Sequence, residues 1–217
     1  MKYIFLYLTL ISLTSMAEAR TISGKVLAIH DGDTLTFLPQ GEVKKAKLRL
    51  MGVDTPEIDF NGASQGEVAE KAREFLSSLI PLNSTIQVSL SDKDTDINGR
   101  YLGQIFYNGI DINLEILKAG WGATYFIFPY DKKIVVSYEN VSEKAAIQGV
   151  GIFSDKYKAQ PFGYMFRQHI KGVEGTNIVG DFESKKLFSQ QSIESVPHFH
   201  RVFFSGQETA VNHGFNW

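Results

Sequence analysis

Apolar and polar residues alternate with a period of two through three stretches at the front of the chain. Over Thr21 to His30, Ile22, Val26 and Ile29 stand among small or polar residues, with Gly24 as a bulge. Thr34-Leu35-Thr36-Phe37-Leu38 alternates cleanly, and Lys45 to Val53 reads as a third strand. Asp31-Gly32-Asp33 and Pro39-Gln40-Gly41-Glu42 are turn sequences, so the three strands should form a meander. The period then changes. Ser64-Gln65-Gly66-Glu67 reads as a capping box, followed by Val68, Ala72, Phe75, Leu76 and Leu79 on one helical face as far as Pro81. Thr85 to Leu90 and Arg100 to Tyr107 are a fourth and fifth strand separated by a polar loop, Asp92 to Gly99. Two more helices are predicted, from about Asn113 to Gly120 and from about Val136 to Gln148 with Gly149 as its stop. This order predicts an α+β fold built on a five-stranded barrel with three helices.

Periodicity is lost after Ser154. Residues 156–176 mix Gly, Pro, aromatic and basic residues and read as a linker or irregular hinge. Residues 177–217 read as a small C-terminal α+β appendage, with Leu187-Phe188 and Val202-Phe203-Phe204 as core pieces and a short helix within Ser205 to Gly214. The barrel domain accordingly spans 20–155.

Residues 1–19 have the pattern of a secretory signal peptide. Lys2 precedes an apolar run from Tyr3 to Leu13, and Ala17-Glu18-Ala19 is a small-x-small cleavage site. The run is short for a bilayer span. The expected location is secreted or periplasmic, with no membrane attachment after cleavage. The chain has no cysteine, hence no disulfide framework and no lipid-attachment site at the cleavage point. An apolar share of 43% supplies a real core, and a net charge of -2 excludes a globally basic nucleic-acid binder while leaving room for a locally positive cleft.

The candidate chemistry centres on Lys47 to Glu57, where Arg49, Asp54 and Glu57 are delivered by one strand and its turn. Asp33 and Asp54, at the ends of neighbouring strands, offer carboxylates to a hard cation such as calcium or magnesium. Taken alone, each sits in a common turn sequence. Glu57 lies three residues beyond Asp54, stiffened by Pro56, and is a candidate general base for an attacking water. Arg49 and Arg100 supply guanidinium forks that match phosphoryl oxygens. Arg49, between Leu48 and Leu50, needs an anionic partner, either Asp54 or a phosphate. On a regular strand residues 49 and 54 would face opposite ways, so a bend near Gly52 is expected.

Asp31-Gly32-Asp33-Thr34, then Arg49 with Asp54-Thr55-Pro56-Glu57, then Asn98-Gly99-Arg100 resemble the thermonuclease (staphylococcal nuclease-like) family. The resemblance runs from about Thr21 to Ser154 and includes Leu117-Lys118-Ala119-Gly120 and Gly151-Ile152-Phe153. It implies an OB-fold barrel with three helices. It further implies a calcium-dependent endonuclease, with one calcium ion rather than magnesium, cleaving DNA and RNA without sugar specificity and leaving 3′-phosphates. By position, Asp33 and Asp54 would hold the metal through side chains and Thr55 through its carbonyl. Glu57 would act on the water, Arg49 and Arg100 on the phosphate, and Tyr125 on the nucleotide. Single-stranded substrates and a monomer are expected. The family pattern has Lys-Tyr where this chain has Ile97-Asn98. The tail also resembles a module that follows such barrels in some bacteria, through Val179-Gly180-Asp181, Lys185-Lys186-Leu187-Phe188 and Arg201-Val202-Phe203-Phe204. Relatives of that module carry metal-binding cysteines, which are absent here. His198, His200 and His213 are expected to be packing or surface residues. Two other functions compete: a non-catalytic OB-fold nucleic-acid-binding module, and a phosphodiesterase of small nucleotides.

Overall fold

Alternation dictates the barrel. A computed structural model describes residues 20–173 and 177–217, so the expected signal peptide lies outside the described residues. Strands β1 (Thr21–Ile29), β2 (Thr34–Pro39) and β3 (Ala46–Leu50) form the expected antiparallel meander. Strand β5 (Thr85–Thr95) pairs antiparallel with β1 and with β6 (Tyr101–Tyr107). A parallel pairing of β6 with β3 closes the ring into a five-stranded barrel. Val26, Leu35, Phe37, Leu48, Ile86, Val88 and Ile105 are fully buried, one side chain in two along their strands. β5 runs five residues past Leu90, into what reads as a polar loop.

The third predicted strand is broken in two. β3 ends at Leu50, and β4 (Gly52–Asp54) belongs to a different sheet. Gly52 makes the break, with φ of 74° and the Phe126 ring so close that a Cβ would overlap it. The expected bend is therefore a switch between sheets. Strand β8 (Ala123–Ile127), which has no clean alternation, pairs antiparallel with β4.

Helix α1 (Glu67–Leu79) buries Val68, Ala69, Ala72 and Leu76. It lacks the predicted capping box: Gly66 is its N-cap and no side chain caps it. The side chain of Gln65 is used elsewhere, accepting from Glu57 N at 3.0 Å and donating to Pro161 O at 2.7 Å. After the short β7 (Ile110–Asp111), helix α2 (Ile112–Lys118) is capped by the Asp111 side chain. Helix α3 (Lys132–Gln148) starts four residues earlier than expected because Asp131 caps it, and it ends at left-handed Gly149.

The stretch read as a linker contains a helix, α4 (Gly163–Lys171), closed by left-handed Gly172. Its packing comes from Tyr164, which joins Val179, Ile193, Val196 and Phe203 in one apolar cluster. The tail is equally well tied down. β9 (Ile178–Asp181) and β10 (Leu187–Phe188) form a hairpin, and β11 (Arg201–Phe204) pairs with β9 and, in parallel, with β8. The resulting sheet, β10-β9-β11-β8-β4, carries the tail onto the strand that bears Asp54. Helix α5 (Gln207–Asn212) falls within the expected window. No helix among the described residues is long and apolar enough to cross a membrane.

Candidate active site

Asp33 closes the β1–β2 turn, where its N–H donates to Asp31 Oδ1 at 3.1 Å. Its carbonyl accepts from Leu50 N at 2.8 Å, which fixes the turn against the end of β3. Arg49 stands directly across the ladder from Thr34, next door to Asp33. The sheet switch at Gly52 then turns Asp54 back toward the same point. Arg49 donates through Nη1 to Asp33 Oδ1, and through Nη2 to Asp54 Oδ1 at 2.9 Å and to the Val53 carbonyl at 3.0 Å. Thr55 N donates to Asp33 Oδ2 at 2.7 Å. Asp33, Asp54 and Thr55 are each only 1% exposed. Such a buried ion-pair cluster persists only when every charge has partners.

The structure adds a residue from far along the chain. Arg167, on α4, donates Nη2 to Asp54 Oδ1 at 2.7 Å and Nη1 to Glu57 Oε1. Tyr164 N, at the start of the same helix, donates to Asp54 Oδ2 at 2.7 Å. Gly163 lets the chain come this close: a Cβ there would fall within contact distance of Asp54 Oδ2 and the Thr55 carbonyl. Tyr164 is anchored by its ring, stacked on Tyr125 with centroids 5.1 Å apart, and by its hydroxyl, which accepts from Arg201 Nη1 at 2.8 Å.

Charges in this corner are strongly perturbed. Burial pushes the Asp33 carboxyl up to about 7 against the pull of Arg49, with Asp31 and Asp54 adding repulsion. Burial also raises Glu57, assisted by repulsion from Asp33 and opposed by Arg167. The carboxylates more than offset the effect of burial on the two guanidinia, so both hold their protons more tightly than free arginine.

Asp33, Arg49, Asp54, Thr55 and Glu57 are thus brought together as the sequence predicts. Arg100 has a different partner. Its Nε donates to Asp96 Oδ2 at 2.7 Å within the β5–β6 turn. Tyr125 presents one ring face to Tyr164, so that face is covered by protein. His198 is a packing residue stacked on Phe153, and burial pushes it down to about 3. His213 packs on the Phe128 ring and bonds the Thr209 carbonyl. Sequence reading missed Arg167, Tyr164, Gly163 and Gln65. The available signal was faint: Tyr164 and Arg167 are three apart, hence on one helical face, in a stretch too short to show a period.

The donors suit a hard cation chemically, since Asp33 and Asp54 offer carboxylate oxygens and Thr55 a carbonyl. Among the described residues no group of three or more His, Cys, Asp or Glu is placed to hold a metal ion. The positive charge beside these oxygens comes from Arg49 and Arg167.

A family model described as Staphylococcal nuclease homologue matches residues 47–155, which include Arg49, Asp54, Thr55, Glu57 and Arg100. The chain belongs to this family. It is 28% identical over 201 residues to endonuclease YhcR of Bacillus subtilis, covering 88% of this chain and 16% of that protein. It is 33% identical over 137 residues to an uncharacterized endonuclease of Haemophilus influenzae, covering 63% of this chain and 69% of the other. A thermonuclease of Staphylococcus hyicus is 25% identical over 114 residues, 52% of this chain and 66% of that one. The chain thus spans about a sixth of the Bacillus subtilis relative. Its similarity to that protein extends well beyond the residues the family model matches.

Proposed function

We propose that this chain is a secreted, metal-dependent nuclease that hydrolyses phosphodiester bonds of DNA and RNA, without sugar specificity, and leaves 3′-phosphates. One observation carries the reading: Asp33, Arg49, Asp54 and Glu57 meet in a single hydrogen-bonded, largely buried corner. Relatives named as endonucleases and a thermonuclease support the same activity.

Asp33, Asp54 and the Thr55 carbonyl would hold one calcium ion. The ion, when bound, polarises the phosphoryl oxygens and offsets the charge that builds on them. Glu57 orients a water and takes its proton as the water oxygen bonds to phosphorus. The bond from phosphorus to the 5′ oxygen breaks, that oxygen takes a proton from solvent, and Glu57 returns its own proton to solvent. Burial and Asp33 make Glu57 a stronger base than a free glutamate, which suits it to this step near neutral pH. Arg49 is fixed by three acceptors before any substrate arrives, so it offers developing charge a cation that needs no reorganisation.

The test is release of acid-soluble nucleotides from denatured DNA and from RNA across a calcium titration, with a chelator control. Release that depends on calcium and stops with chelator supports the reading. No release at any calcium concentration, from protein with a cooperative melt, contradicts it.

A further inference from the structure

We propose that Arg167 is a catalytic residue: a guanidinium supplied by helix α4 that grips the scissile phosphate beside Glu57. Helix α4 is then a wall of the active site. This inference rests on the nuclease reading above, and it concerns a residue beyond the 47–155 match.

Position is the first argument. The Arg167 fork spans Asp54 and Glu57. A phosphate attacked by a water on Glu57, and anchored near Asp54, must lie alongside that fork. Two non-bridging phosphoryl oxygens present the same bidentate pattern that the two carboxylates present now.

Availability is the second. Arg49 is pre-set by Asp33, Val53 and Asp54 and serves the phosphate from the Asp33 side, with a side chain only 10% exposed. Arg100 is held by Asp96 through Nε, Nη2 and its backbone N–H. Arg167 reaches the candidate general base, and its side chain, 21% exposed, is more open to an incoming anion than that of Arg49; Arg100, at 28%, is open too but pairs with Asp96 rather than Glu57.

Charge is the third. With all groups ionised, Asp33, Asp54 and Glu57 outnumber Arg49 and Arg167 by one. A divalent cation and one phosphodiester together bring one positive charge, which offsets that excess among these five groups, beside the further negative charge of Asp31. Without Arg167 the same loaded site keeps a buried negative charge, and each charge that develops on the phosphoryl group adds to it.

Anchoring separates this role from that of a removable plug. Tyr164 N bonds Asp54, its ring stacks on Tyr125, its hydroxyl takes a bond from the buried Arg201, and Pro161 O is tied to Gln65. A plug that left at every turnover would break all four. The end of the Arg167 side chain can instead exchange a carboxylate oxygen for a phosphate oxygen while the helix stays in place.

The experiment compares the full chain with its Arg167→Lys and Arg167→Ala variants on a fluorogenic oligodeoxynucleotide in calcium. It separates kcat from KM and adds millimolar guanidinium ion as a rescue. Thermal melts establish that each protein is folded. The lysine variant keeps the charge, so the comparison survives if the alanine variant does not fold. Expected are a fall in kcat/KM of about 10²–10³-fold for Arg167→Ala, a smaller fall for Arg167→Lys, and partial recovery of kcat with guanidinium ion in the alanine variant but not in Glu57→Gln. Activity of a folded variant equal to or above that of the parent overturns the inference and leaves the nuclease reading standing. A parent protein with no activity removes both.

Discussion

Gly163 faces Thr55 across the mouth of the site, with no room for even a methyl group between them. A Cβ on Gly163 would stand 2.7 Å from Asp54 Oδ2 and closer still to the Thr55 carbonyl oxygen. Both neighbours are buried and held by other bonds, so the strain would fall on α4. Gly163→Ala should cost about 1–3 kcal/mol as overpacking. For a chain of this size that lowers Tm by about 2–4 °C per kcal/mol. Thermal melts check it, and an unchanged Tm would mean that α4 does not press on the site as described.

Tyr164→Phe tests the anchor from the other side. The hydroxyl accepts from Arg201 Nη1 at 2.8 Å, and Arg201 is 4% exposed. Removing the acceptor leaves a buried charged donor short of a partner, at a cost of about 1–3 kcal/mol. Urea unfolding should show a lower midpoint with an unchanged m-value. A midpoint equal to the parent's would mean that water replaces the hydroxyl at no cost.

Glu139 on α3 carries a pH signature. Burial pushes its carboxyl up to about 8, opposed by Lys185 and reinforced by Asp181, Glu183 and Glu143. The unfolded chain releases this proton near the ordinary glutamate value of about 4.3. Between there and about pH 8 the folded state binds more protons than the unfolded one, so stability falls as pH rises. Glu139→Gln should flatten that fall. Equal slopes for the parent and the variant, measured by urea unfolding from pH 5 to pH 8, would contradict the assignment.

The barrel was legible because apolar side chains alternate with polar ones along its strands, which writes a period into Leu35, Phe37, Leu48, Ile86 and Val88. Helix ends were legible where a single residue fixes them, as Gly149 does for α3. β8 and α4 were not legible. β8 is sandwiched between β4 and β11 and buries residues on both faces, so it has no alternation to read. α4 is nine residues long, and the contacts of Tyr164 and Gly163 that seat it on the site, with Asp54 and Thr55, lie more than a hundred positions away in sequence. The same division holds at the site. Arg49, Asp54 and Glu57 could be read together because they fall within one short stretch of the chain, and Asp33 joins them from the end of a neighbouring strand. Arg167 reaches Asp54 across 113 positions, and only the fold joins them.

The most direct test of the corner itself is the rate of nucleotide release from denatured DNA by the parent protein and by Glu57→Gln, at saturating calcium and with folding verified by circular dichroism. With Glu57 as the base that activates water, the substitution should lower kcat by about 10²–10⁴-fold while the melt stays cooperative. A folded Glu57→Gln protein that releases nucleotides at the parent's rate would contradict that role.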